Sequence, residues 1–153
     1  MKKYFLLAPL LSVLLLTNIN LAQQKGFGLG AVLGNPTGIS ARLWSADNVA
    51  FDFGLGYSFT SSNSLFDFFV DYVFHNSEWI QDERNFILYY GPGARLHINK
   101  DQSRLGVRGA VGILWLPEDS KIDVFVEVAP ILDFIPATKF DFDGGIGLRY
   151  FFN

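Results

Sequence analysis

The chain has no cysteine among its 153 residues, which excludes a disulfide-stapled fold, a thiolate metal site and a thiol nucleophile. Basic residues are few, with 12 Lys and Arg against 15 Asp and Glu, so no basic face is available for a nucleic-acid partner. Beyond residue 22, no apolar run reaches the ~20 residues that a membrane-spanning helix needs. Such a chain must be stabilised by hydrogen bonding, by packing or by a membrane.

The first 22 residues have the pattern of a secretory signal peptide. Two lysines precede an apolar stretch, Tyr4–Leu16, which is followed by a polar stretch that ends at Ala22. A membrane-anchoring helix is the rival interpretation, but the apolar stretch is too short for it. We therefore expect a signal peptide over 1–22 and one mature domain over 23–153. No cysteine follows the expected cleavage site, which excludes a lipid-anchored lipoprotein.

The mature region alternates apolar residues with polar or small ones at a period of two, which is the pattern of β-strands. The clearest example runs from Val49 to Phe59, where every odd position is apolar. Short connections made of turn-forming residues separate the runs and favour antiparallel pairing, since parallel neighbours need a long crossover. Eight strands are predicted, at 25–33, 38–45, 48–59, 65–75, 85–98, 104–115, 121–130 and 140–152.

The content of the polar face decides which side of these strands meets solvent. A soluble barrel needs an exterior rich in lysine and glutamate, whereas the four lysines of the mature chain all lie at strand ends or in turns. The runs are also near the ~9–11 residues that a tilted strand needs to cross a bilayer. The sequence therefore predicts an all-β fold, an eight-stranded antiparallel up-and-down transmembrane β-barrel in the bacterial outer membrane. A soluble, lipocalin-like barrel is the alternative.

In such a barrel, charged residues within the strands face the interior, among glycines that leave room for long side chains. The predicted interior charge network consists of Arg42, Asp52, Asp67, Asp71, Arg95, Arg104, Arg108, Asp123, Glu127, Asp141, Asp143 and Arg149. Large aromatic residues near the strand ends are typical of the belts at the two membrane interfaces. The predicted interfacial aromatics are Trp44, Tyr57, Tyr72, Trp79, Tyr90, Trp115 and Tyr150.

Four stretches carry a resemblance to a known family: Gly28–Trp44, with the pattern G-x-G…G-x-P-T-G-x-S-x-R-x-W, Asp67–His75, Glu127–Thr138 and Asp143–Gly147. They resemble a family of small outer-membrane β-barrels best known in spirochaetes, a domain of unknown function similar in size to the OmpA and OmpX barrels. The resemblance covers essentially the whole mature chain and implies fold and location. It implies little about activity, because the family has no agreed one.

The last strand also resembles the signal that the outer-membrane barrel-assembly machinery recognises, with aromatic residues at alternate positions over Gly147–Phe152. It departs from that signal in one respect, since Asn153 and not an aromatic residue is terminal. Barrel-assembly machinery and outer-membrane lipid are therefore expected partners.

The interior charges allow two functions. A salt-bridged, plugged interior is favoured, because eight strands enclose a space that side chains can fill and because buried charges persist when they are paired. A narrow channel for small solutes or ions along the same residues is the alternative. His75 and His97 carry the weakest hypothesis, an outer-membrane enzyme. Neither lies in the spacing of a catalytic triad or a metal site, so no catalytic residue, metal or cofactor is predicted.

With both chain ends in the periplasm, the connections 34–37, 60–64, 99–103 and 131–139 are predicted to face outward, and 76–85 inward. Most outward connections are short and offer little surface to a partner. Ile131–Thr138 is the exception, since it is apolar for a loop. It either binds an extracellular protein or extends the hairpin into the lipid headgroups, and the second is favoured. The predicted role is therefore structural, or one of surface interaction.

Overall fold

The computed structural model describes residues 26–59, 64–76 and 85–152, without the side chains of residues 64 and 65. The expected signal peptide, 1–22, lies outside the described residues. No helix in the described ranges has the length and apolarity needed to cross a membrane. Eight strands are present: β1 (Phe27–Asn35), β2 (Thr37–Ala46), β3 (Val49–Tyr57), β4 (Ser64–Asn76), β5 (Phe86–Asn99), β6 (Arg104–Trp115), β7 (Ile122–Ile135) and β8 (Lys139–Phe152).

Each strand pairs antiparallel with the next one along the chain, and β1 pairs with β8 to close the barrel. Aromatic and β-branched residues favour these strands because they pack well on a pleated, half-covered surface. The result confirms the predicted eight-stranded antiparallel up-and-down barrel. We call the end that holds Gly26 and Phe152 the terminal end. The opposite end, where β1, β3, β5 and β7 finish, is the far end.

The strands are strongly staggered around the barrel. A path of directly paired residues that leaves β8 at Arg149 and crosses every strand in turn returns to β8 at Lys139, ten residues earlier. A stagger of this kind requires the strands to tilt by roughly 35–45° from the barrel axis. The interior of such an eight-stranded barrel is just wide enough for side chains to fill.

The β7–β8 hairpin is longer than the sequence predicts. Because β7 continues to Ile135 and β8 begins at Lys139, the prediction of a loop over 131–139 is wrong. The alternation continues through this segment, with Ile131 buried inside the barrel and Leu132 exposed outside it. Two flanking prolines resemble strand ends in the sequence, yet the paired strand runs past one of them. The segment therefore extends the hairpin.

The other seven predicted strands agree with the observed ones to within two residues at each end. The predicted inward connection, 76–85, starts where β4 ends at Asn76 and finishes just before β5 begins at Phe86. It therefore joins the strands at the terminal end, although residues 77–84 lie outside the described ranges.

Candidate functional site: the barrel interior and the far end

Two arginine–aspartate pairs meet inside the barrel and form the neutral cluster, Arg42, Asp52, Asp123 and Arg149. Arg42 Nε and Nη2 donate to the two carboxylate oxygens of Asp52 at 2.6 Å each, and Arg149 Nε donates to Asp123 Oδ1 at 3.0 Å. Each pair joins residues that lie directly opposite one another on neighbouring strands. Two longer contacts, of 3.6 and 3.9 Å, connect the pairs. Positive and negative charges therefore balance in this fully buried group.

Buried aromatic and apolar side chains pack around the neutral cluster, and we call them the aromatic floor. Its buried side chains include Trp44, Tyr89, Leu114, Phe125 and Phe151. The Arg42 guanidinium lies 4.8 Å from the centroid of the Tyr89 ring, and that of Arg149 lies 4.1 Å from the centroid of Phe125. Guanidinium groups placed over aromatic faces are attracted by the ring quadrupole. These side chains therefore pack against the neutral cluster and fill the lumen around it.

Trp44 corrects one sequence prediction. The sequence predicts it at a membrane interface, but it is only 6% exposed, points into the barrel and packs at a tilt against His75, with ring centroids 4.3 Å apart. The reason is parity, because Trp44 is two residues from Arg42 on the same strand and so shares its inward face. Proximity to a strand end suggested the interface, whereas the alternation already indicated the interior.

A second group of charges lies toward the far end and is rich in acid. Six carboxylates and three arginines form this acidic cluster: Asp67, Asp71, Glu127, Asp133, Asp141, Asp143, Arg95, Arg104 and Arg108. Arg108 contacts three of the carboxylates, at 2.5 Å from Glu127, 3.1 Å from Asp71 and 3.4 Å from Asp143. The arginines are thus shared between carboxylates, and negative charge is in excess.

Several buried carboxylate oxygens of the acidic cluster make no hydrogen bond to the described residues. They are both oxygens of Asp71, Oδ2 of Asp67 and Oδ1 of Asp133, although Asp71 Oδ1 lies 3.1 Å from Arg108 Nε in an ion pair. Asp133 is a member that the sequence prediction missed, because it lies in the segment expected to be a loop. Its partner is Arg104, whose Nη1 donates to Asp133 Oδ2 at 3.0 Å. Extending the alternation from Asp123 by five pleats would have placed it inside.

The two histidines occupy different layers of the interior. His75 belongs to the aromatic floor, between Trp44 and Tyr89, with Nδ1 3.4 Å from the Asn48 carbonyl oxygen. His97 lies in the acidic cluster, with Nδ1 2.7 Å from Asp67 Oδ1. The carboxylate neighbour that an enzymatic role for His97 requires is therefore present. Its side chain is only 1% exposed, however, so substrate has no direct access to it.

A small cavity separates the neutral cluster from the acidic cluster. Its volume is about 20 Å³, and it is lined by members of both clusters together with Asn35 and Pro36 at the far end of β1. A space of this size holds one or two water molecules. Gly54 and Gly147 face the interior and have no side chains, so the rings of Phe69 and Phe125 pack against them. These rings fill space that would otherwise enlarge the cavity.

The outer surface of the barrel is apolar. Among the described interfacial candidates, Tyr57, Tyr72, Tyr90, Trp115 and Tyr150 point outward and are 39–44% exposed, while Trp79 lies outside the described residues. Aliphatic and phenylalanine side chains cover the surface between them: Leu29, Leu33, Ile39, Leu55, Phe66, Phe68, Val107, Val111, Ile113, Val126, Val128, Leu132, Phe134, Phe140, Phe142, Ile146 and Leu148. A continuous apolar surface of this extent marks a contact with lipid or with another protein.

Comparison with known proteins supports the architecture. No family model and no curated protein sequence matches the chain. A solved structure that does match is the crystal structure of the N-terminal β-barrel domain of Pseudomonas aeruginosa OprF, with a TM-score of 0.62 and 13% sequence identity. The match covers 84% of this chain and 98% of that domain. The chain therefore has an eight-stranded antiparallel barrel fold that resembles the OprF barrel domain.

Proposed function

We propose that the protein is an integral β-barrel of the bacterial outer membrane with a structural or surface-interaction role. The observation that carries this proposal is the inversion of the barrel, with charges buried inside and large apolar side chains exposed outside. In water this arrangement is unfavourable, since apolar area costs roughly 25 cal/mol per Å² to expose. In hydrocarbon it is favourable, and closure pairs the backbone groups that lipid cannot satisfy. The fold shared with the OprF barrel domain supports the same proposal.

We further propose that the interior is plugged. The neutral cluster joins four strands, and the aromatic floor fills the lumen around it. The cavity between the two clusters has room for one or two waters. A narrow channel remains the second candidate, and the excess of carboxylates toward the far end is what favours it. Such a channel would select cations, because carboxylates attract them.

An enzymatic role is not part of the proposal. His75 is enclosed by aromatic rings, and His97 is paired with Asp67 beneath the surface. Neither side chain is more than 9% exposed.

Lipid is the proposed partner of the apolar surface, and the barrel-assembly machinery is the proposed partner of β8. Tyr150 and Phe152 project outward from that strand at alternate positions. We also keep the small spirochaete-type barrel family as the proposed relationship, on the strength of its motifs in this chain. The exposed residues within Ile131–Thr138, at the far end of the β7–β8 hairpin, are proposed to reach the lipid headgroups, and contact with an extracellular protein is the alternative.

The first test is heat-dependent mobility on a denaturing gel. Chain 23–153, which contains the whole closed barrel, is refolded in detergent and run unheated and boiled. We expect the unheated sample to migrate differently and to show β-rich circular dichroism, because a closed barrel resists unfolding by the gel detergent. A chain that folds without detergent and shows no such shift would contradict the membrane proposal and favour the soluble, lipocalin-like barrel.

Conductance across a planar lipid bilayer separates the plugged barrel from the channel. The proposed plug predicts no steady conductance after insertion of the refolded protein. A steady, cation-selective current would favour the channel instead. If Asp143→Asn lowered that selectivity while leaving the heat-dependent gel shift intact, the current would be assigned to the acidic cluster.

A further inference from the structure

One edge of the barrel sheet is unpaired at the far end. β1 finishes at Asn35, whose partner on β8 is Gly144, whereas β8 begins five residues earlier at Lys139. Between Lys139 and Asp143, β8 is paired with β7 on one side and with no strand of the described residues on the other. We call this segment the rim edge.

The direction of the main-chain groups on the rim edge follows from the alternation of β8. The Phe151 N–H donates to the Lys121 carbonyl, just before β7, at 2.7 Å, so odd-numbered residues of β8 face β7. Even-numbered residues face β1, and the Gly144 carbonyl indeed lies against Gly34 of β1. The N–H and C=O groups of Phe140 and Phe142 therefore point to the unpaired side.

Two local features agree with this assignment. The residue opposite Phe142 on β7 is Pro130, which has no N–H to contribute to a ladder. The Phe142 N–H instead donates to the side chain of its own neighbour, with 2.9 Å between the nitrogen and Asp141 Oδ1. The Phe142 N–H thus has a side-chain acceptor where no neighbouring strand supplies one.

We propose that the rim edge binds an extended segment of a partner protein, which adds a strand to the barrel and alternates basic with apolar residues. Unpaired strand edges are templates for such addition, in which main-chain hydrogen bonds give affinity and alternate side chains give specificity. The proposal deepens the surface-interaction role proposed above and rests on it. The chemistry of the partner follows from the two faces of the edge.

The inner face of the rim edge calls for basic side chains. Asp141 and Asp143 point inward into the acidic cluster, and their distances to the nearest arginines are 3.4–3.7 Å, so they are loosely paired. Lys139 offsets part of this charge, but the cluster as a whole has twice as many carboxylates as arginines. The outer face calls for apolar side chains, because the Phe140 and Phe142 rings are about 60% exposed and pack edge to face.

A second copy of the chain fits the edge less well than such a segment. Pairing two rim edges with each other would bring two acidic clusters together, and like charges opposite one another destabilise a strand pair. Association of the protein with itself is therefore an outcome that would contradict the proposal.

The test uses chain 23–153 refolded in detergent micelles and a labelled heptapeptide of alternating lysine and valine. Binding is measured by fluorescence anisotropy, with protein-free micelles and an alternating glutamate–valine peptide as controls. We expect saturable binding of the lysine peptide alone. Hydrogen exchange should slow at the amide of Phe140, whose N–H points to the unpaired side and would gain a partner from the added strand. The Phe142 amide would exchange its bond to Asp141 Oδ1 for one to the added strand, so its exchange should change less.

Phe142→Pro and Phe142→Ala form a matched pair. Proline removes the edge N–H, and with it the bond to Asp141 Oδ1, without removing a bond to β7, whereas alanine keeps the N–H and removes the ring. We expect proline to weaken binding about tenfold, the equivalent of one hydrogen bond of ~1.4 kcal/mol, and alanine to weaken it less. No binding, binding without slowed exchange at the rim edge, equal affinity of both variants, or dimerisation through the edge would overturn the proposal. Failure of the membrane proposal is recognised separately, by the absence of the heat-dependent gel shift.

Discussion

The neutral cluster allows a quantitative test of how the interior holds the barrel together. In Arg42→Met, the two 2.6 Å hydrogen bonds to Asp52 are lost, and so is the long contact to Asp123. Arg149 then faces two carboxylates alone at a site that is at most 3% exposed. Removing one partner of a buried ion pair costs about 3–5 kcal/mol, because the remaining charge is left uncompensated. We expect a loss of that size in the free energy of unfolding.

The double variant Arg42→Met/Asp52→Leu distinguishes pairing from simple loss of packing. It removes one charge of each sign and leaves Arg149 with Asp123, which are 3.0 Å apart. Apolar replacement of a whole buried pair is often neutral, so the double variant should be more stable than Arg42→Met alone. The coupling energy from the cycle should be about 2–3 kcal/mol.

The assay is reversible urea unfolding of the refolded barrel, followed by tryptophan fluorescence and by the gel shift. Lys100→Met is the matched control, since this lysine is exposed in the connection between β5 and β6 and its replacement should change stability by less than about 0.5 kcal/mol. A loss below about 1 kcal/mol for Arg42→Met would refute the reasoning, as would a double variant whose loss equals the sum of the two single losses.

Three further predictions test the two faces of the barrel. In lipid vesicles, Val111→Lys on the exposed outer surface of β6 should lower the free energy of unfolding by about 2–4 kcal/mol. Ser103→Lys, in the far-end connection between β5 and β6, should lower it little, and equal effects of the two variants would argue against a lipid-facing surface. Gly147→Val should lose about 1–3 kcal/mol because the side chain would meet the Phe125 ring, while Gly109→Ala, with no atom within 4 Å of the added methyl, should be tolerated. In variants that keep a single tryptophan, brominated lipid should quench Trp115 and spare Trp44; quenching of both would contradict the inward position of Trp44.

Most of the barrel could be predicted because alternation is a local property. Side chains on a strand point to opposite faces with a period of two, so each run reveals its own two faces without knowledge of its neighbours. The interior position of Arg42 and Asp123 followed directly, and seven strands were placed to within two residues. The errors arose where the alternation was not followed. The prolines at 130 and 136 led to the prediction of a loop that contains Asp133, and the position of Trp44 near a strand end led to the prediction that it lies at a membrane interface.

What the sequence determined by itself is therefore the number of strands, their order and the face on which each side chain lies. The tertiary structure alone decided which charges meet. Register and stagger bring Arg42 opposite Asp52 and place Arg108 among three carboxylates from other strands, and no local pattern encodes these distances. The tertiary structure also decided that β8 extends further than β1 at the far end and leaves the rim edge unpaired. The length of a strand depends on its own residues. Whether its edge is unpaired depends on where the neighbouring strand ends.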